Sequence, residues 1–138
     1  NYRSERTTLG AAVMCEVWRV SPVACYINIP CRATPKARHD KNNRTPLCTL
    51  KFEREIVSTQ AQEAWNCAPY DGPIGLRICY YVLQGKPKPD ISNALKSIED
   101  GMNGVLYKDD AQIAYTEHGY ALCTSKLDER VEIEVMLG

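Results

Sequence analysis

The sequence feature that most constrains the fold is a change of apolar periodicity in the middle of the chain. In 74-IGLRICYYV-82 the apolar side chains alternate, which is the pattern of a half-buried strand. From Ile91 to Met102 they instead follow the i, i+3, i+4, i+7, i+11 spacing of an amphipathic helix. A strand followed closely by a helix with one apolar stripe predicts a helix packed on one face of a sheet.

Other segments extend this pattern in both directions. Alternation predicts strands at residues 23–29, 112–123 and 131–137, and Thr49 is predicted to cap a helix that runs through Trp65. The resulting order is β, α, β, α, β, β. It predicts a single-domain α+β fold in which two main helices pack on one mainly antiparallel or mixed sheet.

Length and composition bound the class of protein. A chain of 138 residues has the size of one globular domain, which we expect at residues 23–138 after an N-terminal extension of residues 1–22. No run of about eighteen apolar residues is present, and the first residues do not resemble a signal peptide. We therefore expect a soluble, cytoplasmic protein with no membrane partner. The seven cysteines form no CxxC pair, which favours free thiols over a zinc site.

Basic residues are concentrated in two stretches, although the formal net charge is zero. A basic surface can bind phosphates even on a neutral protein, whereas a solvated loop would show the same composition. Both interpretations are open for this set of candidate DNA contacts: Arg32, Lys36, Arg38, Lys41, Arg44, Lys86 and Lys88.

Acidic residues and one lysine surround the predicted helix at 91–102. If the helix and the following strand are neighbours, Asp90 would lie near a hairpin-like return at Asp109-Asp110. Asp90 and Asp110 could then bind one Mg²⁺, which takes oxygen ligands and often needs only one or two protein carboxylates. Lys96 could bind the scissile phosphate or stabilise a leaving oxygen.

An ordinary structural explanation of the same residues is also open. An aspartate before a helix interacts favourably with the helix dipole, and Lys96 with Asp100 is a common i, i+4 pair. Asp109 and Asp110 could simply form a turn. Spacing alone does not decide between this explanation and a catalytic site.

The two runs 88-KPDISNALKSIED-100 and 104-GVLYKDDAQI-113 together resemble the signature of the RusA family of Holliday junction resolvases. The resemblance is dense over residues 86–113 and looser over residues 23–138. It implies a homodimeric endonuclease of bacteria or their phages that uses Mg²⁺, with Mn²⁺ as a substitute, to make paired nicks in four-way junction DNA during recombination and repair.

By this resemblance, Asp90 and Asp110 are the metal-binding and catalytic aspartates, and Lys96 is the essential lysine. The motif also includes Asn93, Asp100 and Asp109 as supporting positions. For the dimer interface, the aromatic candidates are Trp18, Tyr115 and Tyr120.

One position departs from the family motif, which reads Asp-x-Asp-Asn. Here the sequence is Asp90-Ile91-Ser92-Asn93, so Ser92 replaces a catalytic carboxylate. A hydroxyl can support a metal-bound water but adds no negative charge to the site. Two further hypotheses follow: a junction-binding protein with weakened or lost catalysis, and a protein-interaction module whose acidic face is only a solvated surface.

Overall fold

The computed structural model describes residues 16–34 and 47–138, which form a mixed four-stranded sheet with helices on one face. The strands are β1 (Cys25–Ile29), β2 (Ile74–Leu83), β3 (Ile113–Cys123) and β4 (Arg130–Leu137), in the spatial order β1-β4-β2-β3. Strand β4 pairs antiparallel with both β1 and β2, whereas β2 and β3 pair in parallel. The predicted α+β class with a mixed sheet is confirmed.

Helix α1 is less regular than the sequence predicts. It consists of an α-helical turn (Leu47–Leu50), a π-helical segment (Lys51–Val57) and a second α-helical segment (Ser58–Ala64). The prediction that Thr49 caps this helix is wrong, because Thr49 lies inside the first turn with its side chain buried. A capping preference of about 1 kcal/mol does not decide a helix start when tertiary packing favours another register.

Helix α2 (Ile91–Met102) follows the predicted boundaries, and its apolar side chains belong to the same core cluster as those of β2. The alternate residues of β2 that face the helices are buried, and so are Ala94, Ile98 and Met102 on the apolar stripe of α2. Gly101 allows α1 and α2 to approach closely, since a Cβ there would lie 2.6 Å from Val57. The two helices therefore cover one face of the sheet as a single packed layer.

The parallel pairing of β2 with β3 corrects one expectation. Parallel neighbours require a crossover connection, and α2 supplies it. The return at Asp109-Asp110 is therefore not hairpin-like, but leads through a 3-10 turn (Asp110–Gln112) into β3. As a result, α2 begins near the end of β2, and the Asp109-Asp110 turn precedes the start of β3.

Residues near the N-terminus also contribute to the core. Residues 16–20 are helical, and Trp18 is buried and stacks on Tyr115 with ring centroids 6.4 Å apart. Burial within its own chain makes Trp18 a poor candidate for the dimer interface predicted for it. Over residues 16–34 and 47–138, no helix has the length and apolar character needed to cross a bilayer. The six cysteines among these residues are free thiols.

Candidate active site

Asp90 is the N-cap of α2, and its carboxylate is oriented by Asn93. The Asp90 Oδ1 atom accepts a hydrogen bond of 3.2 Å from the backbone N–H of Asn93. Its Oδ2 atom accepts one of 3.3 Å from the Asn93 side-chain amide. Asp90 remains exposed, so the same carboxylate that caps the helix can still face a ligand. The structural and the catalytic interpretations of Asp90 are thus compatible.

The segment that leads into Asp90 is fixed by contacts with the sheet. Tyr120 donates a hydrogen bond from its hydroxyl to the Pro89 carbonyl, and Lys88 places its Nζ atom 4.9 Å from the centroid of the Tyr120 ring. Pro89 is buried, while Lys86 and Lys88 are exposed. Both lysines are therefore exposed in the segment just before the helix start.

Arg32 joins three parts of the chain in this region. Its guanidinium bonds the Glu129 carboxylate at 2.8 Å and also donates to the Pro87 carbonyl. Glu129 accepts a further bond of 3.1 Å from the Leu83 N–H, and this bond, followed by the bond from Arg32, lowers the pKa of the Glu129 carboxyl. Arg32 thus stabilises the fold at the end of β2, in addition to its predicted contact with DNA.

We expect Arg32→Ala to lower the free energy of unfolding by about 1–3 kcal/mol, because it leaves the buried Glu129 carboxylate without its cation. Urea unfolding monitored by circular dichroism measures this change. The matched control is Lys86→Ala, an exposed lysine of the same region, which should stay within about 0.5 kcal/mol of the wild type. Equal stability of Arg32→Ala and the wild type would show that the ion pair does not support the fold.

The two aspartates of the turn after α2 have different structural roles. Asp109 caps the 3-10 turn, with its Oδ1 atom accepting a 3.0 Å hydrogen bond from the Ala111 N–H. Gln112 accepts from the Lys108 and Asp109 N–H groups and donates to the Tyr70 and Gly72 carbonyls. Asp109 and Gln112 therefore hold the turn in place, and the exposed Asp110 carboxylate is presented by it.

Asp110 lies within a group of charges that comes from both α2 and this turn. A hydrogen bond with Asp109 is the largest cause of the raised pKa of Asp110, followed by burial and by repulsion from Asp109 and Asp100. Lys96 acts in the opposite direction and lowers the pKa of Asp110. The charges of Lys96, Asp100 and Asp110 thus act on one another, and the catalytic roles predicted for these residues stay predictions.

Glu99, which the sequence pattern did not single out, interacts electrostatically with the same charges. Partial burial raises its pKa to about 7, with added repulsion from Asp110 and Asp100, while Lys96 opposes the shift. The available signal was a glutamate beside the apolar stripe of α2, four residues after Leu95 and one after Ile98.

Asp90 lies at the opposite end of α2 from this charged group. The ten residues from Asp90 to Asp100 span about 15 Å of helix. Among residues 16–34 and 47–138, no three His, Cys, Asp or Glu side chains are arranged to hold a metal ion. The joint role of Asp90 and Asp110 at one metal ion therefore stays a prediction.

The donors around Asp110 still fit a hard cation in their chemistry. They are carboxylate oxygens that repel one another, so a bound cation would relieve the repulsion. Mg²⁺ commonly uses one or two protein carboxylates and completes its octahedron with water and substrate phosphates. A site of that kind does not require three converging protein ligands.

The remaining predicted residues lie on the helix face or in the part of the sequence between β1 and α1. Ser92, Asn93 and Lys96 are exposed along α2, and Asp100 is partly buried. Four predicted DNA contacts lie outside the described residues: Lys36, Arg38, Lys41 and Arg44.

Comparison with known proteins gives one family. The family described as Endodeoxyribonuclease RusA has a sequence model that matches residues 29–136. The match includes the whole of α2, the Asp109-Asp110 turn and all of β2 and β3. No curated protein matches the chain.

Proposed function

Since this chain belongs to the RusA family of endodeoxyribonucleases, we propose that it resolves four-way DNA junctions by paired, metal-dependent nicks in recombination and repair. The observation that carries this proposal is that the charge of Lys96 on α2 acts on the Asp110 carboxylate of the following turn, because a lysine and a metal-binding carboxylate near one phosphate can together stabilise the transition state of phosphodiester hydrolysis. From the family we also expect a cytoplasmic protein that is encoded by a bacterium or by a phage.

Some residues of this chain would bind the metal ion or the phosphate, and others would position the binding residues. Asp110 and, by match to the motif, Asp90 would hold Mg²⁺, or Mn²⁺ in its place. When bound, such an ion activates water and offsets charge on the phosphodiester. Lys96 is exposed and would bind the scissile phosphate or neutralise the leaving oxygen. Asn93 orients Asp90, whereas Asp109 fixes the turn that carries Asp110.

The proposal is tested with a synthetic four-way junction and a linear duplex of the same sequence. We expect nicks in the junction at symmetry-related positions when Mg²⁺ is added, and little cleavage of the duplex. Cleavage of both substrates at equal rates would exclude selectivity for junctions and leave only a general nuclease.

Ser92 favours a second candidate function, a protein that binds junctions without cutting them. Position 92 lacks the carboxylate of the family motif, which lowers the negative charge available to hold a cation. Selective binding of the junction with no nicks in either Mg²⁺ or Mn²⁺ would support this candidate.

A homodimer is part of the proposal, because two equivalent sites related by a two-fold axis suit paired nicks in a symmetric junction. Light scattering at micromolar concentration, with and without junction DNA, should give the mass of two chains. A monomer under both conditions would remove the paired-nick mechanism.

DNA affinity is expected to depend on the basic sequence segment between β1 and α1, which includes Lys36, Arg38 and Arg44. Replacing these three residues with Ala should weaken junction binding and reduce the salt slope by up to about 3, since each phosphate contact contributes about 0.9 to that slope. Binding is measured by titration at several salt concentrations in EDTA, so that cleavage does not interfere. An unchanged affinity and salt slope would show that these three residues do not contact DNA.

A further inference from the structure

The residues that lead into α2 form a stiff segment in which Lys88 lies between two prolines. Proline fixes its own φ angle and restricts the preceding residue to extended conformations, so this segment has little conformational freedom of its own. Neither proline has a backbone N–H, and each is held through its carbonyl oxygen instead. Arg32 donates to the Pro87 carbonyl, and Tyr120 donates to the Pro89 carbonyl. Lys88 is therefore an exposed residue between two carbonyls that distant side chains hold in place.

Tyr120 is itself held firmly on the sheet. In the parallel pairing of β2 with β3 it lies beside Tyr80, which belongs to the face covered by the helices and is 1% exposed. The two ring centroids are 6.2 Å apart, and the ring planes are tilted by 51°. A half-buried ring that packs against a buried neighbour has few alternative positions. The Tyr120 hydroxyl therefore reaches the Pro89 carbonyl from a rigid support.

Lys88 is directed by the ring of the same tyrosine. Its Nζ atom lies over the Tyr120 ring, 4.9 Å from the centroid, which is within the range of a cation–π contact. Contact with an aromatic face orients an ammonium group but does not cancel its charge, as an ion pair with a carboxylate would. Lys88 is thus oriented, exposed and still cationic, which suits it to a contact with a DNA phosphate.

Tyr120 also acts on Asp90 through the backbone. Asp90 follows Pro89 directly, and its carboxylate accepts hydrogen bonds of 3.2 and 3.3 Å from the backbone and the side chain of Asn93. The Asp90 carbonyl accepts the first hydrogen bond of α2, which the Ala94 N–H donates at 2.8 Å. A displacement of Pro89 is therefore passed directly to the cap and to the first turn of the helix.

We propose that Tyr120 is a positioning residue of the nuclease: its ring directs Lys88 toward a phosphate of the junction, and its hydroxyl fixes Pro89 and thereby the Asp90 carboxylate. This inference rests on the proposed function, since it concerns how the same site binds and cleaves DNA. The two effects are separable, because the hydroxyl can be removed while the ring is kept.

Tyr120→Leu tests the role of the ring. Junction affinity is measured by titration in EDTA, so that neither metal nor cleavage affects the result. Tyr120→Leu should weaken binding by about two- to fivefold, on the order of what one exposed cation–π contact contributes. Added to Lys88→Ala, which already lacks the contact, it should have no further effect. Added to Lys86→Ala, the matched control two residues earlier, it should weaken binding by the full factor. Equal losses in both backgrounds would overturn the role of the ring.

Tyr120→Phe tests the role of the hydroxyl. Its junction affinity in EDTA should be that of the wild type, because the ring is retained. Single-turnover nicking with junction binding saturated should slow by about tenfold, since a small displacement of a reacting group is costly. Tyr115→Phe is the matched control on the same strand: it removes a hydroxyl that donates to Glu117 at 2.9 Å, and it should keep the wild-type rate. A wild-type rate for Tyr120→Phe would show that the hydroxyl does not position Asp90.

The outcomes separate this inference from the proposed function. If the wild type binds junctions but makes no nicks, the proposed function fails, and the titrations in EDTA still decide whether Tyr120 directs Lys88. If the wild type nicks junctions and both Tyr120 variants match it in affinity and rate, the inference alone is wrong. Thermal unfolding is measured for each variant. A lowered melting temperature with wild-type affinity and rate would show that Tyr120 only stabilises the fold, which also contradicts the inference.

Discussion

Lys96→Ala is expected to reduce junction nicking by about 10²- to 10³-fold, the loss seen when one group that stabilises the transition state is removed. Lys96 lies on the exposed side of α2, opposite the stripe formed by Ala94, Ile98 and Met102, so the fold does not depend on its side chain. A surface ion pair on a helix contributes only about 0.3–0.5 kcal/mol. The melting temperature of Lys96→Ala should therefore be nearly that of the wild type.

The control for Lys96→Ala is Lys51→Ala, since Lys51 is an exposed lysine on the other main helix. It should keep the wild-type nicking rate and stability. Rates are measured under single-turnover conditions with junction binding saturated. A wild-type rate together with a large loss of stability in Lys96→Ala would favour the ordinary ion-pair interpretation of this lysine.

The second large effect is expected at Ser92, where an added carboxylate should strengthen cation binding. Ser92 is exposed two residues after Asp90, so an aspartate fits there without repacking. We expect Ser92→Asp to lower the Mg²⁺ concentration for half-maximal nicking by about tenfold, which corresponds to about 1.4 kcal/mol. Affinity for the junction in EDTA should stay unchanged, because phosphate contacts come mainly from lysine and arginine.

The Mg²⁺ dependence of nicking is measured from micromolar to tens of millimolar for the wild type and Ser92→Asp. Ser92→Thr is the matched control, because it keeps a neutral hydroxyl and should leave the Mg²⁺ dependence unchanged. If the wild type is already saturated at low Mg²⁺ and Ser92→Asp has no effect, position 92 is not a missing ligand.

Local periodicity predicted the elements well where one face of a segment is buried. The apolar stripe of α2 gave Ile91–Met102, and alternation gave β2 and β4 to within one or two residues. The π-helical segment Lys51–Val57 was missed because sequence patterns assume 3.6 residues per turn. Alternation also does not specify the direction of a neighbouring strand, so the parallel pairing of β2 with β3 could not be predicted.

In the candidate site too, sequence spacing predicted the contacts within one helix, whereas contacts between distant parts of the chain required the structure. Spacing placed Lys96 and Asp100 on one helix face, and the structure adds Asp110 to them. The bonds of Gln112 to the Tyr70 and Gly72 carbonyls depend on a loop about forty residues earlier in the chain, which no local pattern identifies. Glu99 was not singled out, because its partial burial depends on the tertiary packing of α2.

The central claim is that the face of α2 beside the Asp110 turn is a working nuclease site. It is tested most directly by single-turnover nicking of a labelled four-way junction in Mg²⁺ by the wild type and by Asp110→Asn, with Asp71→Asn as an exposed control in the neighbouring loop. We predict paired nicks by the wild type and by Asp71→Asn, and a loss of at least 10²-fold in Asp110→Asn with junction binding retained. Equal nicking by the wild type and Asp110→Asn would contradict the claim.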